Sequence, residues 1–191
     1  MNGEKYPLKQ LLLLLIIKSE GPIGRYRLVD MLNLPEGVVR GLISNLLKDK
    51  NISPSKLGCQ LTAKGEAFLK KLLARYDIAE IREFEAEPLK IAEKTIAVQV
   101  KKKAQLIVSA MEQRDIAVRA GAHGAILLIY QDGVLRIPTA YSNLAAEHPK
   151  LAEQITHSFK LDNGDLIIIS GAENKWRALE GSLAIALALK E

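Results

Sequence analysis

Apolar and polar positions divide the chain into two stretches with different rhythms. From Leu11 to Tyr76 the apolar residues recur mostly at helical spacing, whereas beyond Ile91 short alternating or wholly apolar runs of strand length intervene between helical ones. In the first stretch Pro7 is placed to open a helix that continues from Leu8 to Ser19, and Gly21-Pro22 breaks it. Between Leu11 and Ile17 this helix is apolar on every side, so it needs cover from its own domain plus either the rest of the chain or a second subunit. A second helix is expected over Gly24 to Leu32, with Tyr26, Leu28, Val29, Met31 and Leu32 packing. Asn33-Leu34-Pro35 forms a turn, and Glu36 to Asp49 a third helix. Its apolar face holds Val38, Val39, Leu42, Ile43, Leu46 and Leu47, and its opposite face Gly37, Arg40, Gly41, Ser44 and Lys48. Ile52-Ser53 and Gln60-Leu61-Thr62 then flank a turn-rich tip, Pro54-Ser55-Lys56-Leu57-Gly58, which reads as a short hairpin. Thr62 caps a further helix, with Glu66 near the position for a capping interaction.

Asp77 to Lys90 is Glu-rich and reads as a linker, or as a helical extension ending before Pro88. The second stretch then predicts a strand from Thr95 to Lys101 and a helix from Ala104 to Ala120, with Leu106, Ile107, Ala110, Met111, Ala117 and Val118 in its core. An apolar strand from Ala125 to Tyr130 is joined by Asp132-Gly133 to another over Val134 to Pro138. A helix is clearest from Pro149 to Phe159. Asn163-Gly164 is a turn, Asp165 to Ser170 is a buried strand ended by Gly171, and Asn174 to Leu189 is the last helix, apolar nearly all round. The order β-α-β-β-α-β-α matches, in its first six elements, a split βαββαβ plan of the ferredoxin-like type. The fold class expected is therefore α+β. Three segments follow: a helical domain over 1–76, a linker or helix extension over 77–90, and an α+β regulatory or dimerisation domain over 91–191. The two helices apolar on all sides point to a homodimer.

Charge sharpens this division. Residues 1–76 carry 13 Lys/Arg against 6 Asp/Glu, and the remaining residues 14 against 16, so the chain total of +5 hides a basic front and a mildly acidic back. A basic module on a neutral one suggests a polyanion reader joined to a sensing or assembly domain. At 48% hydrophobic and 26% charged the chain builds a true core, and its single thiol, Cys59, forms no internal disulfide, which fits a cytoplasmic protein. The seven-residue run Leu11–Ile17, with Lys5 and Lys9 before it, lacks a small-residue cleavage site, and it is far shorter than the roughly 20 residues of a membrane helix.

Helix, helix, turn, helix, hairpin, helix is the order of a winged helix-turn-helix. The run Leu61-Thr62-Ala63-Lys64-Gly65 resembles the L-T-x-K-G passage from wing to last helix in many winged-helix regulators. That resemblance covers roughly residues 8–76 and implies that 1–76 is a winged helix-turn-helix DNA-binding domain, one that reads double-stranded DNA. By analogy the groove-facing residues are Arg40, Gly41, Ser44 and Lys48, with Lys56 on the wing and Arg25 or Arg27 near the backbone. Residues 95–189, with Gly121-Ala122-His123-Gly124-Ala125, look like uncharacterised archaeal proteins in which a winged helix precedes a domain of unknown function.

Arg114, Asp115, Arg119 and His123 could frame a site for a small anionic effector, since Arg matches carboxylate and phosphate geometry. Equally, Arg114 could simply pair with Asp115 and Gly121 end the helix. The sequence holds no phosphate loop, dinucleotide fingerprint or nucleophile elbow, and His123, His148 and His157 have no metal-ligand spacing. His148 reads as solvated before Pro149, His157 as lying on a helix face, and Cys59 as a packing residue of the wing. No catalytic residue, cofactor or metal is expected. The reading is a DNA-binding transcriptional regulator, not an enzyme. Two alternatives stay open: a winged-helix protein-interaction module, and an enzyme with its site near Arg114 to His123.

Overall fold

A computed structural model describes residues 7–85, 87, 89 and 91–189; Lys5, Pro88 and Lys90 lie outside the described residues. The protein is α+β and divides into two compact units, Met1–Leu73 and Ala74–Glu191.

In the first unit α1 (Pro7–Glu20), α2 (Arg25–Leu32) and α3 (Glu36–Lys48) are followed by a hairpin of β1 (Ile52–Ser55) and β2 (Gly58–Leu61) and by α4 (Ala63–Arg75). Leu11–Leu14, Ile16 and Ile17 of α1 are buried. Leu28 and Leu32 of α2 join the core, but Tyr26, expected to pack, is 71% exposed. The segment before α2 instead closes on the hairpin: Ile23 exchanges both backbone hydrogen bonds with Cys59, at 3.0 and 2.9 Å, as an isolated bridge beside the two strands. Gly58 makes this possible. It has φ +130°, and a Cβ there would lie 2.2 Å from the Ile23 carbonyl.

The second unit is built on a five-stranded antiparallel sheet in the order β3-β4-β7-β5-β6. Its strands are β3 (Ile78–Glu83), β4 (Lys94–Val100), β5 (Gly124–Gln131), β6 (Val134–Arg136) and β7 (Asp165–Ala172). Helices α6 (Leu144–Glu147) and α7 (Pro149–Ser158) contribute Leu144, Leu151, Ala152 and Ile155 to one core with Ala97, Leu128, Ile167 and Ile169. The alternate residues of the strands face α8 (Lys175–Ala188), where the Ser182 hydroxyl bonds to the Ile168 carbonyl at 3.3 Å. Helix α5 (Ala110–Arg119) packs beside α8 and β5.

Four expectations are corrected here. The linker or helix extension over 77–90 instead opens with β3. A bulge between Ile78 and Glu80 brings Ile78 and Ile81 to one side of the strand, opposite Val100 and Val98, and the otherwise open edge of β4 takes up its backbone groups. The helix over 104–120 is two pieces: a single 3-10 turn at Ala104–Leu106, then α5, which Ser109 caps by accepting the Glu112 N–H at 3.3 Å. Of its supposed core, Met111 is 60% and Val118 44% exposed. Gly171 does not end β7. It permits close approach, since a Cβ there would lie 2.9 Å from Ile91 Cβ. Finally, the strand order is not ferredoxin-like. β4 and β5 do form a split parallel pair around α5, but the strand between them is β7, where a ferredoxin-like sheet would place β6. The reason lies in the two candidates. All eight residues of β7 are buried, as a central strand demands, whereas β6 has three residues, is tied to β5 by Asp132-Gly133 and is followed by Pro138.

Leu11–Leu14, Ile16 and Ile17 of α1, and Leu179, Leu183 and Ile185 of α8, are already buried within one chain, while Leu15 and Leu187 are half-buried, so these helices do not by themselves require a second subunit.

Candidate nucleic-acid interface

The first unit presents a continuous exposed stripe along α3. Gly37, Arg40, Gly41, Ser44, Asn45 and Lys48 are all exposed, while Val39, Ile43 and Leu46 on the opposite side are buried. The stripe follows from the apolar period, because a helix anchored on one face must turn these positions outward. Nothing lies within 4 Å of a Cβ built at Gly37 or Gly41. Neither glycine is therefore demanded by the protein's own packing, although each costs up to about 1 kcal/mol relative to Ala in a helix interior. Their consequence is a low ridge along which another surface can approach the α3 backbone, with Arg40, Ser44 and Lys48 at its sides. Among the described residues, Arg40, Lys48 and Lys56 have no ion-pair partner.

Lys56 and the 76%-exposed Leu57 form the hairpin tip. The Ser55 hydroxyl shapes this turn, accepting the Leu57 N–H at 3.2 Å and donating to the Gly58 carbonyl at 2.9 Å. Arg25 and Arg27 are differently placed. Arg25 pairs with Glu36 at 3.1 Å and Arg27 with Glu20 at 3.2 Å, so each is held by a carboxylate of its own unit.

The run Leu61–Gly65 works as a clasp between α3, the hairpin and α4. The Thr62 hydroxyl donates to the Lys50 carbonyl at 2.7 Å and accepts the Gly65 N–H at 3.0 Å, which caps α4. Lys64 Nζ donates to the Asp49 carbonyl at 2.7 Å, just past the end of α3, where the helix dipole favours a cation. A Cβ at Gly65 would sit 1.8 Å from the Asn51 carbonyl oxygen, so only glycine lets α4 come this close. Glu66 is one position too far along for the capping box. The residues that carry the family resemblance are thus structural: they fix the hairpin and α3 relative to one another. Cys59 is half-buried in β2, and burial pushes its thiol pKa up, which suits packing and not nucleophilic work.

The second expected site is not assembled. Arg114 Nη2 pairs with the neighbouring Asp115 at 3.1 Å, both side chains about half exposed. Arg119 lies five residues further on, about 140° around the helix at 3.6 residues per turn. His123 faces elsewhere, its Nε2 3.1 Å from Glu173. Gly121 is left-handed with φ +105°, ending α5 as a helix terminator, and a Cβ there would lie 2.6 Å from the Arg177 guanidinium. Glu173 and Arg177 were missed by sequence reasoning, though their i, i+4 spacing at the start of α8 is the signal that marks them. His148 is not solvated: it is half-buried, with its ring edge-on to Tyr141 at 4.9 Å between centroids. His157 is exposed on α7.

Polar chemistry in the second unit gathers elsewhere, at Asp165. This fully buried carboxylate accepts from Gln99 Nε2 at 2.8 Å, Lys101 Nζ at 2.8 Å and the backbone N–H groups of Asp162 and Lys102. Lys101 also reaches Asp162 at 2.6 Å. Partial desolvation disfavours the Lys101 ammonium, but its bonds to Asp162 and Asp165 outweigh this and raise its pKa, while the same bond lowers that of Asp162. The cluster staples the turn before β7 and leaves no open coordination. Among the described residues no group of His, Cys, Asp or Glu could hold a metal, and no helix is long and apolar enough to cross a membrane.

No curated protein matches the chain. A solved structure, the hypothetical protein PH0730 from Pyrococcus horikoshii OT3, resembles it with a TM-score of 0.70 and 28% sequence identity, covering 95% of this chain and 91% of that one. That likeness to an archaeal protein agrees with the archaeal resemblance of residues 95–189. The family model described as "Domain of unknown function (DUF4443)" matches residues 91–189, over half of the chain, and the chain belongs to that family.

Proposed function

We propose that the first unit is a winged helix that reads double-stranded DNA, and that the protein is a transcriptional regulator. Helix α3 enters the major groove and the β1–β2 hairpin lies against the backbone as the wing. The observation that carries this reading is the α3 stripe, where unpaired Arg40 and Lys48 flank two glycines that nothing in the protein requires. Arg40 is suited to guanine or phosphate, Ser44 to either kind of acceptor or donor, and Lys48 and Lys56 to phosphate. Arg25 and Arg27 move to the periphery of the interface, because contact with DNA would first break their pairs with Glu36 and Glu20. The second unit carries the regulatory role.

The test is anisotropy of labelled random-sequence duplex DNA against the full chain across a salt series. Binding should weaken with salt on a log-log slope of about −0.9 per phosphate contact, amounting to several contacts. Absence of binding at low salt would overturn the DNA reading and turn the α3 face toward an acidic protein. Sedimentation with and without DNA reports whether one or two copies bind.

A further inference from the structure

In the second unit, β5 has eight residues and β6 pairs only with Ile129, Tyr130 and Gln131. Pro138 ends that pairing, and Ile137 turns back on Tyr141 through an isolated bridge. The outer edge of β5 from Gly124 to Leu128 therefore has no strand beside it. A groove of about 440 Å³ runs along this edge, between residues 107–111 with Arg114 on one side and 137–140 on the other. Ala125, Ile126 and Leu127 all line it. Successive strand side chains point to opposite faces, so a groove touching three in a row must follow the backbone edge itself.

Two further features set this edge apart. Natural edge strands are blunted by charge, proline or a bulge, yet Gly124-Ala125-Ile126-Leu127-Leu128 has none of these. The rim is apolar and open: Val108 is 92% and Met111 60% exposed. Arg114 is the one charged residue lining the groove.

We infer that this groove binds an extended apolar peptide segment carrying a carboxylate, added antiparallel as a strand on the β5 edge. Each observation assigns one part of the occupant. The open edge takes its main chain, the walls at Ile107, Met111 and Ile137 take its alternate side chains, and Arg114, whose half-exposed pair with Asp115 engages only Nη2, takes the carboxylate with its remaining N–H groups. The three groove-lining residues Ala125–Leu127 span roughly 10 Å at about 3.4 Å per residue, the length of groove the segment fills. A second copy of this chain would have to place its own β5 edge in the groove, and the self-association measurement below separates that case.

The test uses the full chain without DNA, so its outcome is separate from that of the DNA reading. Random heptapeptides with free C-termini are displayed and selected on the wild type, with Ala140→Trp, a change at an exposed groove residue, as counter-selection. A synthetic copy of the selected peptide is then measured by anisotropy. The acid form should bind at least tenfold more tightly than its C-terminal amide on the wild type and equally on Arg114→Gln. N-methylation of alternate peptide amides should abolish binding. Failure to enrich over Ala140→Trp would overturn the proposal, as would binding indifferent to both N-methylation and Arg114. Concentration-dependent self-association that Ala140→Trp removes would assign the edge to a second copy and overturn it equally.

Discussion

The two units use their cations differently. In the first, Arg40, Lys48 and Lys56 stand without carboxylate partners on the exposed side of α3 and on the hairpin tip. In the second, Arg114 pairs with Asp115 and Lys101 with both Asp162 and Asp165, while the exposed Arg119 and Arg136, unpaired among the described residues, lie on separate elements, α5 and β6. Counting charge per segment does not separate these cases, because Arg25 and Arg27 add to the basic count of the front and are nonetheless held by Glu36 and Glu20. What separates them is whether the chain has already satisfied the cation. A paired Arg offers a ligand only the N–H groups that its partner leaves free, and an unpaired one offers all of them.

Glycine repeats the lesson and supplies the sharpest test. Gly41 has nothing within 4 Å of its missing Cβ, while Gly65 has the Asn51 carbonyl oxygen at 1.8 Å. The largest effect is expected at Gly65→Ala. Overpacking against backbone should cost about 3 kcal/mol or prevent the first unit from folding, as urea unfolding of the full chain would show. An unaltered midpoint would break the contrast between the two glycines. Next comes the double change Arg40→Ala with Lys48→Ala. It should weaken DNA binding at least about tenfold and, if both residues meet phosphate, lower the salt slope by about 1.8, with circular dichroism unchanged. Arg25→Ala should weaken binding less, because its charge is committed to Glu36. Equal losses would show that pairing does not decide which cations serve the interface.

Gly41→Ala is the finer probe. Removing a helix-interior glycine from open space should stabilise the protein by up to about 1 kcal/mol. The added methyl, sitting on the proposed contact ridge, should at the same time lower DNA affinity. Stability and affinity moving in opposite directions would mark a face kept for a partner; a gain in stability with unchanged affinity would mark ordinary surface.

The smallest effect concerns the Asp165 cluster, where charge serves only the fold. The Asp162 pKa is held down by Lys101, so its contribution to stability is present above its unfolded-state value and is lost as pH falls through the folded one. The Lys101 pKa is raised by Asp162 and Asp165, so its contribution is present below the unfolded-state value near 10.5 and is lost as pH rises through the higher folded one. Thermal unfolding of Lys101→Met should therefore lie below the wild type at neutral pH and approach it at both extremes. DNA binding by this variant should match the wild type at neutral pH.

Most of the first unit is legible along the chain. The paired apolar residues from Val38 to Leu47 dictate both the buried side of α3 and the exposed stripe. Thr62 and Gly65 mark the start of α4, although their role as a clasp emerges only when the Lys50 and Asn51 carbonyls are seen beside them. The second unit is legible in its pieces and not in their arrangement. Asp132-Gly133 announces its turn, and both residues adopt the positive φ that such a turn requires. Yet β3 passes for a linker because Ile78 and Ile81 are three positions apart, which breaks the two-residue period, and only a bulge against the edge of β4 aligns them. Met111 and Val118 pass for core because their spacing is that of a buried face, while the covering surface is absent.

Local order, then, was determined by the sequence alone: helices by period, turns by Gly, Pro and Asp-Gly, and the basic character of the front by composition. These depend on residues a few positions apart, whose geometry is set by the backbone. Tertiary structure decided the insertion of β7 between β4 and β5, the short reach of β6 that leaves an open edge, and which cations keep their charge for a partner. Each of these turns on contacts between residues beyond the reach of a local pattern, such as Gln99 with Asp165, 66 positions on, or Arg25 with Glu36, 11 positions on, and no local pattern encodes whether such a contact forms.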